Sequence, residues 1–421
     1  MSNIDLMFHG AAQHYLRRLA RSGKPVQHAR ALTSDSETLA ARAAEILADL
    51  VAFDTTSRRS NLELIAYAEE RLAPLGAQLR RVGNADGSKA NLIARIGPES
   101  DGGIVLSGHT DVVPVDGQAW SSDPFTLARR DGRYYGRGVA DMKAFLALAL
   151  AAAPAFAARP LQRPVQLAFS YDEEVGCLGA PSMIKVLAEE GPRPALVIIG
   201  EPTGMQAVSG HKGIATFKVT VTGKEAHSSL THLGVSAVMA AARLMGVLVE
   251  LAGALEHGAD AGSPFMPPGP SLTIGQVNGG TAVNILAREC VFLFDLRCPP
   301  GVDAFEALEP FFRAAAAMDA ELKARAPEAG VRVDTRSNTP PLAPETSGEA
   351  ERLARRLAGD NGPARVVSYA AEAGQFQRAG FSTVVCGPGS IEQAHQPDEY
   401  LEVAQLERGA AFMSRLIQEL R

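Results

Sequence analysis

At 421 residues the chain is longer than one hydrophobic core usually serves, which points to two domains. Hydrophobic residues make up 46% and charged residues 21%, a globular balance rather than a disordered or fibrous one. The formal net charge of -6 argues against nucleic acid or an anionic membrane as the main partner.

Residues 1–35 carry Arg17, Arg18, Arg21, Lys24 and Arg30 with little apolar periodicity. They read as an N-terminal extension, either a poorly ordered arm or an extra capping helix. The composition also admits an organellar presequence, which Asp5 and the scarcity of serine weigh against. From Ser36 the pattern turns helical to Val51, and Asn61 to Leu72 makes a second helix. Short β-like runs follow at Ala77–Val82, Asn91–Ile96 and Ile104–Leu106. Asp141–Phe156 reads as a helix, Val165–Tyr171 as a strand, Ala180–Glu190 as a helix and Ala195–Ile199 as a strand. Strands alternating with helices predict an α/β layer on a largely parallel sheet.

After Gly210 the pattern changes. Gly213–Thr222 alternates in the strand period, Gly234–Leu251 is a long helix, and Ser271–Val277 and Glu289–Arg297 are strands. A helix from Asp303 to about Ala324 and a strand at Val331–Arg336 complete a β-α-β-β-α-β order, the ferredoxin-like arrangement. The Gly/Pro-rich stretch 262–270 falls inside it as a loop. From Thr346 the α/β pattern resumes, with strands at Ala364–Ser368 and Thr383–Cys386 and a closing helix Val403–Leu420. The predicted architecture is therefore α/β: a largely parallel-sheet catalytic domain (36–210 and 341–421) with an inserted ferredoxin-like α+β domain (211–340).

No apolar run reaches the roughly 18 residues that span a bilayer, and the richest stretch, Ala144 to Ala158, reads as a buried helix around Pro154. Cys177, Cys290, Cys298 and Cys386 form no C-x-x-C pair and no disulfide framework. Buried free thiols in a reducing cytoplasm are the expectation.

Acids and histidines gather where the α/β strands end. His109 and Asp111 lie two apart after Ile104-Val105-Leu106, so on extended backbone they point to one side. Asp141 opens a helix, Glu173-Glu174 follows one strand, Glu201 follows another, and His395 lies in a Gly/Pro-containing loop. Singly each has an ordinary explanation: Asp141 as a helix N-cap, Glu173-Glu174 as a solvated turn. Together they put two imidazoles and several carboxylates at the edge where open α/β sheets bind ligands. Repelling carboxylates collect there only around a cation. Imidazole plus carboxylate without thiolate suits zinc or cobalt, and the carboxylate count suits two metals. No G-x-S-x-G elbow or P-loop is present, and Gly136-Arg137-Gly138 lacks the third glycine of a dinucleotide site.

Four motifs stand in register: Ser107-Gly108-His109-Thr110-Asp111-Val112-Val113-Pro114, Tyr135-Gly136-Arg137-Gly138 with Asp141-Met142-Lys143, Asp172-Glu173-Glu174-Val175-Gly176, and Gly200-Glu201-Pro202-Thr203. In order and spacing they resemble the di-zinc amidohydrolases, the superfamily of aminoacylases, carboxypeptidase-G-like enzymes, succinyl-diaminopimelate desuccinylase and acetylornithine deacetylase. The stretches Ala371-Glu372-Ala373-Gly374-Gln375-Phe376 and 386–400 look like the acetylornithine deacetylase branch, except that Ala370-Ala371 stands where Gly-Thr is expected. The resemblance implies that His109 and Glu201 hold one zinc, Glu174 and His395 the other (cobalt being an alternative), and that Asp141 bridges them. It implies that Asp111 orients the His109 ring and that Glu173 is the general base. In the inserted domain, the loop of His227 resembles one that reaches a neighbouring subunit's site, the loop of Asn284 one near the substrate, and Arg297 a partner for the substrate carboxylate. Glu372, a lone acid expected over the metals, is assigned to the substrate's side-chain ammonium.

The function so implied is zinc-dependent hydrolysis of N-acetyl-L-ornithine to L-ornithine and acetate, in arginine biosynthesis, by a cytoplasmic homodimer that meets neither nucleic acid nor membrane. The alternatives are deacylation of another N-acyl amino acid, desuccinylation of succinyl-diaminopimelate, or a catalytically silent metal-binding dimer. A silent relative is expected to have lost Glu173 or a ligand, and this chain keeps them all.

Overall fold

The computed structural model describes residues 35–421; the N-terminal extension lies outside them except for Asp35. Asp35 caps the first helix, its Oδ1 accepting from the Thr38 N–H at 3.0 Å. Helix α1 (Ser36–Val51) buries Leu39, Ala43, Ile46, Leu47 and Leu50, the helical spacing of one apolar stripe. Helix α2 (Leu62–Leu72) follows, then strands β1 (Gln78–Gly83), β2 (Ala90–Ile96) and β3 (Gly103–His109), and a hairpin of β4 (Ala128–Arg130) and β5 (Arg133–Tyr135). Helix α3 (Ala144–Ala157), β6 (Val165–Ser170), α4 (Ala180–Glu189) and β7 (Pro194–Pro202) complete the first part.

The chain then passes through the short β8 (Gly210–His211) into β9 (Gly213–Thr222), α5 (Ala237–His257), β10 (Ser271–Gly279), β11 (Glu289–Cys298), α6 (Ala304–Ala307), α7 (Glu309–Arg325) and β12 (Gly330–Thr339). It returns as α8 (Glu349–Ala358), β13 (Val366–Val367), α9 (Ala373–Arg378), β14 (Ser382–Gly387), β15 (Tyr400–Glu402) and α10 (Val403–Glu419).

The central sheet runs β1-β2-β6-β3-β7-β14, with β6, β3, β7 and β14 mutually parallel and β1 and β2 antiparallel at one edge. Its two faces are covered. Ile104, Leu106, Leu167 and Ile198 meet α1, α3 and α10 in one core, whereas the alternate residues Val105, Ala168, Val197 and Ile199 meet α4 and α9 in another. Burial on both sides is why these strands read as unbroken apolar runs. The parallel strands end at His109, Ser170, Pro202 and Gly387 on a single edge, and the site is built there.

The inserted sheet has the order β10-β11-β9-β12, antiparallel throughout, with α5 and α7 on one face. Every second residue of β9 is buried, from Gly213 to Val221. The chain enters and leaves this unit side by side, through paired backbone bonds between His211 and Leu342 at 3.0 Å in both directions. Lys212, fully buried, donates to the carbonyls of Pro267 and Gly269 at 2.7 and 2.6 Å, which ties down the 262–270 loop.

Several expectations change. The helix expected from Asp303 is two helices, because Pro310, in the first turn of α7, cannot donate an amide back to α6. Asp141 does not open a helix as a cap: it sits in an irregular turn, Val139–Lys143, with φ -120° and ψ 91°, and α3 begins at Ala144. Among the described residues two segments are long and apolar enough to cross a membrane, against the expectation of none: the irregular turn taken together with α3, and α5. Val139–Ala157 is 94% buried and is the core helix already anticipated around Pro154; Ala237–His257 buries only a stripe, Ala237, Ala240, Ala241, Leu244 and Leu248, on its own sheet.

Candidate active site

The carboxyl edge of the central sheet gathers the expected acids and histidines. Each comes from a strand end or the turn beyond it: His109 closes β3, Glu201 lies near the end of β7, and Glu173 and Glu174 occupy the turn after β6. Only hydrogen fits at position 200, since a Cβ there would fall 1.9 Å from the ring of Phe145; the strand can thus press onto α3 and hold Glu201 in place.

Asp141 lies between the two histidines. Its Oδ1 is 3.0 Å from His109 Nε2 and its Oδ2 is 3.4 Å from His395 Nε2. Glu201 flanks His109 at 3.7 Å, and Glu174 Oε2 flanks His395 at 3.0 Å. One ligand atom each from His109, Asp141 and Glu174 lies within 4.8 Å of the others, and the same holds for His109, Glu173 and Glu201. The His395 side chain is 50% exposed and the others are almost covered, so the cluster opens to solvent on the His395 side.

Electrostatics fit a missing positive charge. Burial, then neighbouring carboxylates, push Glu174 and Glu201 above the usual carboxylate range. Burial penalises a charged His109, yet Asp141 and Glu201 hold its pKa well above normal. Glu174 Oε1 is buried with no hydrogen-bond partner among the described residues. An orphaned carboxylate oxygen beside two imidazoles and two further acids is a donor set for divalent cations, with no thiolate among the expected ligands.

Asp111 works differently from the expectation. His109 Nδ1 donates to the backbone carbonyl of Asp111 at 2.8 Å, while the carboxylate stands 3.7 Å away. The carboxylate instead accepts from the backbone N–H groups of Glu173 and Glu174, at 3.1 and 3.2 Å, and from Ser57 Oγ at 2.7 Å. One residue thus aims His109 through its main chain and the Glu173-Glu174 turn through its side chain.

Glu372 is likewise corrected. It is 1% exposed, and its carboxylate is held by the hydroxyls of Ser170 and Ser107 on β6 and β3. Burial pushes its pKa up to about 7. Both oxygens are committed inside the sheet edge, so the group is not presented to a substrate ammonium.

The inserted unit carries the remaining expected residues. His227 and Asn284 come together: the loops pair through His227 and Ile285, and Ser228 N–H donates to the Asn284 carbonyl at 2.9 Å. Both side chains face solvent. His227 Nδ1 accepts from the Ser229 N–H at 3.2 Å, which leaves Nε2 as the outward-facing nitrogen and, in the neutral ring, the one carrying the proton. Arg297 pairs with Asp295 at 3.1 Å on the sheet face that the helices leave uncovered. Ser337 of the same sheet packs so closely on Gly176 that a Cβ there would sit 2.3 Å from it, and Thr339 Oγ1 donates to the Gly176 carbonyl at 3.0 Å. This face of the insert therefore abuts the Glu173-Glu174 turn.

Three supporting residues were not singled out from sequence. Glu399 is buried against Arg137 at 2.7 Å, and Arg137 also donates to Gln118 at 2.6 Å. Gln118 Nε2 in turn donates to the His395 carbonyl at 2.9 Å. Arg137 and Glu399 stood in recognised motifs, but nothing in those motifs distinguishes a buried pair from a surface one, and Gln118 stood in none.

The sequence profile of Peptidase family M20/M25/M40 matches residues 105–419. An acetylornithine deacetylase of Myxococcus xanthus is 37% identical over 396 residues, 91% of this chain and 98% of that protein. Another, from Pasteurella multocida, is 33% identical over 85% of this chain and 91% of its own length. The fold matches human carnosine dipeptidase 1 with a TM-score of 0.71 over 93% of this chain and 99% of that one, at 18% identity. By profile and by relatives alike, the chain belongs to Peptidase family M20/M25/M40.

Proposed function

We propose that this enzyme hydrolyses the amide of N-acetyl-L-ornithine to L-ornithine and acetate, the step such a deacetylase contributes to arginine biosynthesis in the cytoplasm. The observation that carries the chemistry is Asp141 set between His109 and His395, with Glu201 and Glu174 outside them. The substrate follows from the two acetylornithine deacetylases that match at 33–37% identity over most of both lengths. His109 and Glu201 would hold one divalent cation, His395 and Glu174 the other, with Asp141 shared; zinc suits this donor set and cobalt is the alternative. When bound, such ions polarise an acyl carbonyl and make water acidic near neutral pH.

The protein's own groups do the rest. Glu173, aimed by Asp111 through its backbone N–H, takes the proton of the attacking water and delivers it to the leaving amine. Its pKa lies above the usual range, chiefly through burial, which suits a group that must both accept and return a proton. Arg297, on the uncovered face of β11, would meet the substrate's α-carboxylate. Glu372 supports the floor of the site through Ser170 and Ser107 rather than choosing the side chain.

His227 fits a site completed by a second copy of the chain. Helix α5 and the edge strand β10 leave Met239 (68%), Val249 (66%) and Val277 (52%) exposed, an apolar face unusual for a monomer. A two-fold dimer through this face would carry the His227 and Asn284 loops to the partner's cations, where Nε2 of His227 donates to the developing oxyanion.

The test is acetate release by metal-loaded protein across a panel: N-acetylornithine, neutral N-acetyl amino acids, and succinyl-diaminopimelate scored by succinate. Highest kcat/KM on N-acetylornithine is expected. Preference for another member moves the substrate assignment to that member, and no turnover with two metals bound makes the chain a silent binder.

A further inference from the structure

Tyr369 lies in the five-residue link between β13 and α9, three residues before Glu372, whose carboxylate bonds Ser107 and Ser170 on β3 and β6 at the edge that carries the expected ligands. Its phenolic oxygen is buried and has no hydrogen-bond partner among the described residues. Buried hydroxyls usually find partners, so an orphan at a reaction centre calls for an explanation. The segment carrying it is firmly held. Ser368 Oγ donates to the Met266 carbonyl at 2.7 Å on one side, the Lys212 N–H reaches the Val367 carbonyl at 3.3 Å, and Glu372 is locked onto Ser170 and Ser107 on the other. The phenol is thus placed by its neighbours and left free at its tip.

The charged groups within electrostatic reach of the phenol are Glu201 and Asp141, two of the expected cation ligands. Burial and then these two charges raise its pKa, so it stays protonated and can donate. It does not serve as a prop for Glu201 or Asp141, since neither accepts its proton. No protein group among the described residues takes its proton, so the hydroxyl is free to meet an acceptor that bound substrate brings beside these two carboxylates. In an N-acyl amino acid the acyl carbonyl oxygen is that atom, because the scissile amide has to lie at the cations. The α-carboxylate is two bonds beyond the amide nitrogen, and the side-chain ammonium only donates.

We infer that Tyr369 is a further catalytic residue, its hydroxyl donating to the acyl oxygen as that oxygen gains negative charge. The inference rests on the amide-hydrolase reading above. It gives each site a donor from its own chain, in addition to the one proposed to come from the partner.

Tyr369→Phe removes only the hydroxyl. The assay uses N-acetylornithine, or whichever panel substrate wild-type protein hydrolyses best; a wild type inactive on all of them defeats the functional reading before the variant is compared. A phosphonate analogue of the tetrahedral intermediate serves as a binding probe, with bound metal and Tm measured alongside. The expected result is a fall in kcat of about 10- to 100-fold with KM, metal content and Tm unchanged, smaller than the loss of a main oxyanion donor because others remain. Affinity for the phosphonate should fall by the same factor. Wild-type kcat overturns the inference. So does a loss confined to KM with phosphonate affinity intact, or a loss that disappears once activity is normalised to bound metal.

Discussion

Glu399 accepts a hydrogen bond from the backbone N–H of Asp141 at 3.1 Å, and the same Oε1 accepts from Ala140 at 2.9 Å. Its other oxygen takes the Gly138 N–H at 2.9 Å and the Arg137 guanidinium at 2.7 Å. A carboxylate four residues beyond His395 therefore fixes the irregular turn that presents Asp141. The two ligand-bearing segments cannot drift apart without breaking this clamp, which is how a turn with no regular helical bonding holds one conformation.

Glu399→Gln should weaken both the fold and the metal site. The amide loses the charge opposing Arg137 and turns two donors toward a ring of donors. Unpairing a buried charge of this kind costs about 3–5 kcal/mol, which lowers Tm by several degrees. Calorimetry on metal-free and metal-loaded protein checks this. The destabilisation should persist without metal, and metal affinity should fall as well. An unchanged Tm in the metal-free protein would show that the clamp contributes nothing to the fold.

Glu173→Gln should keep both metals and lose turnover. Loss of a general base costs about 10²–10⁴ in rate. The structure makes the result informative, because Glu173 also lies within 4.8 Å of His109 and Glu201. Metal analysis beside single-turnover rates separates the roles. More than a tenth of wild-type rate removes Glu173 as the base, and loss of one metal equivalent makes Glu173 the ligand in place of Glu174.

Much of this was legible in the sequence, for physical reasons that differ by element. The parallel strands were readable because both their faces are buried, and the β-α-β-β-α-β insert because β9 alternates strictly. The cluster was readable because His109, Asp141, Glu173, Glu174, Glu201 and His395 follow strand ends or motif-bearing loops. What stayed hidden depends on three-dimensional partners. Asp111 divides its main chain and side chain between two elements, and Glu372 points into the sheet edge rather than over it. Tyr369 is one of 7 tyrosines, and only its buried hydroxyl without a partner among the described residues distinguishes it. The apolar face of α5 was concealed by composition, since small and large apolar residues look alike whether they line a core or a partner.

Hybrid dimers should recover activity. His227→Ala and Glu173→Gln subunits are each expected to be inactive alone. If His227 acts across the interface, the mixed dimer pairs an intact Glu173 with an intact His227 in one of its two sites. Random mixing at equal amounts should then restore about a quarter of wild-type specific activity. Subunit exchange is verified with differently tagged chains; complete exchange without recovery places His227 outside the partner's site.

His211 should make the protein sensitive to mild acid. Its Nδ1 donates to the Lys212 carbonyl at 2.8 Å and its Nε2 accepts from the Gly374 N–H at 3.2 Å, an arrangement open only to the neutral ring. Burial lowers its pKa from 6.5 to about 4. Below pH 6.5 the unfolded chain takes up a proton that the folded chain refuses, so stability falls as pH drops and levels off only below about 4. The full difference is worth roughly 3 kcal/mol, and about 2 kcal/mol of it is spent by pH 5. His211→Gln keeps a donor and an acceptor at this position but cannot take the proton. The variant is expected to start with a lower Tm at pH 7, from imperfect packing, and to lose less than wild type between pH 7 and pH 5. The two melting temperatures should therefore converge in acid, measured on metal-free protein so that ligand protonation is common to both. Parallel curves would mean that His211 is protonated in the fold or exposed by local opening, and that the acid sensitivity belongs to the cation cluster instead.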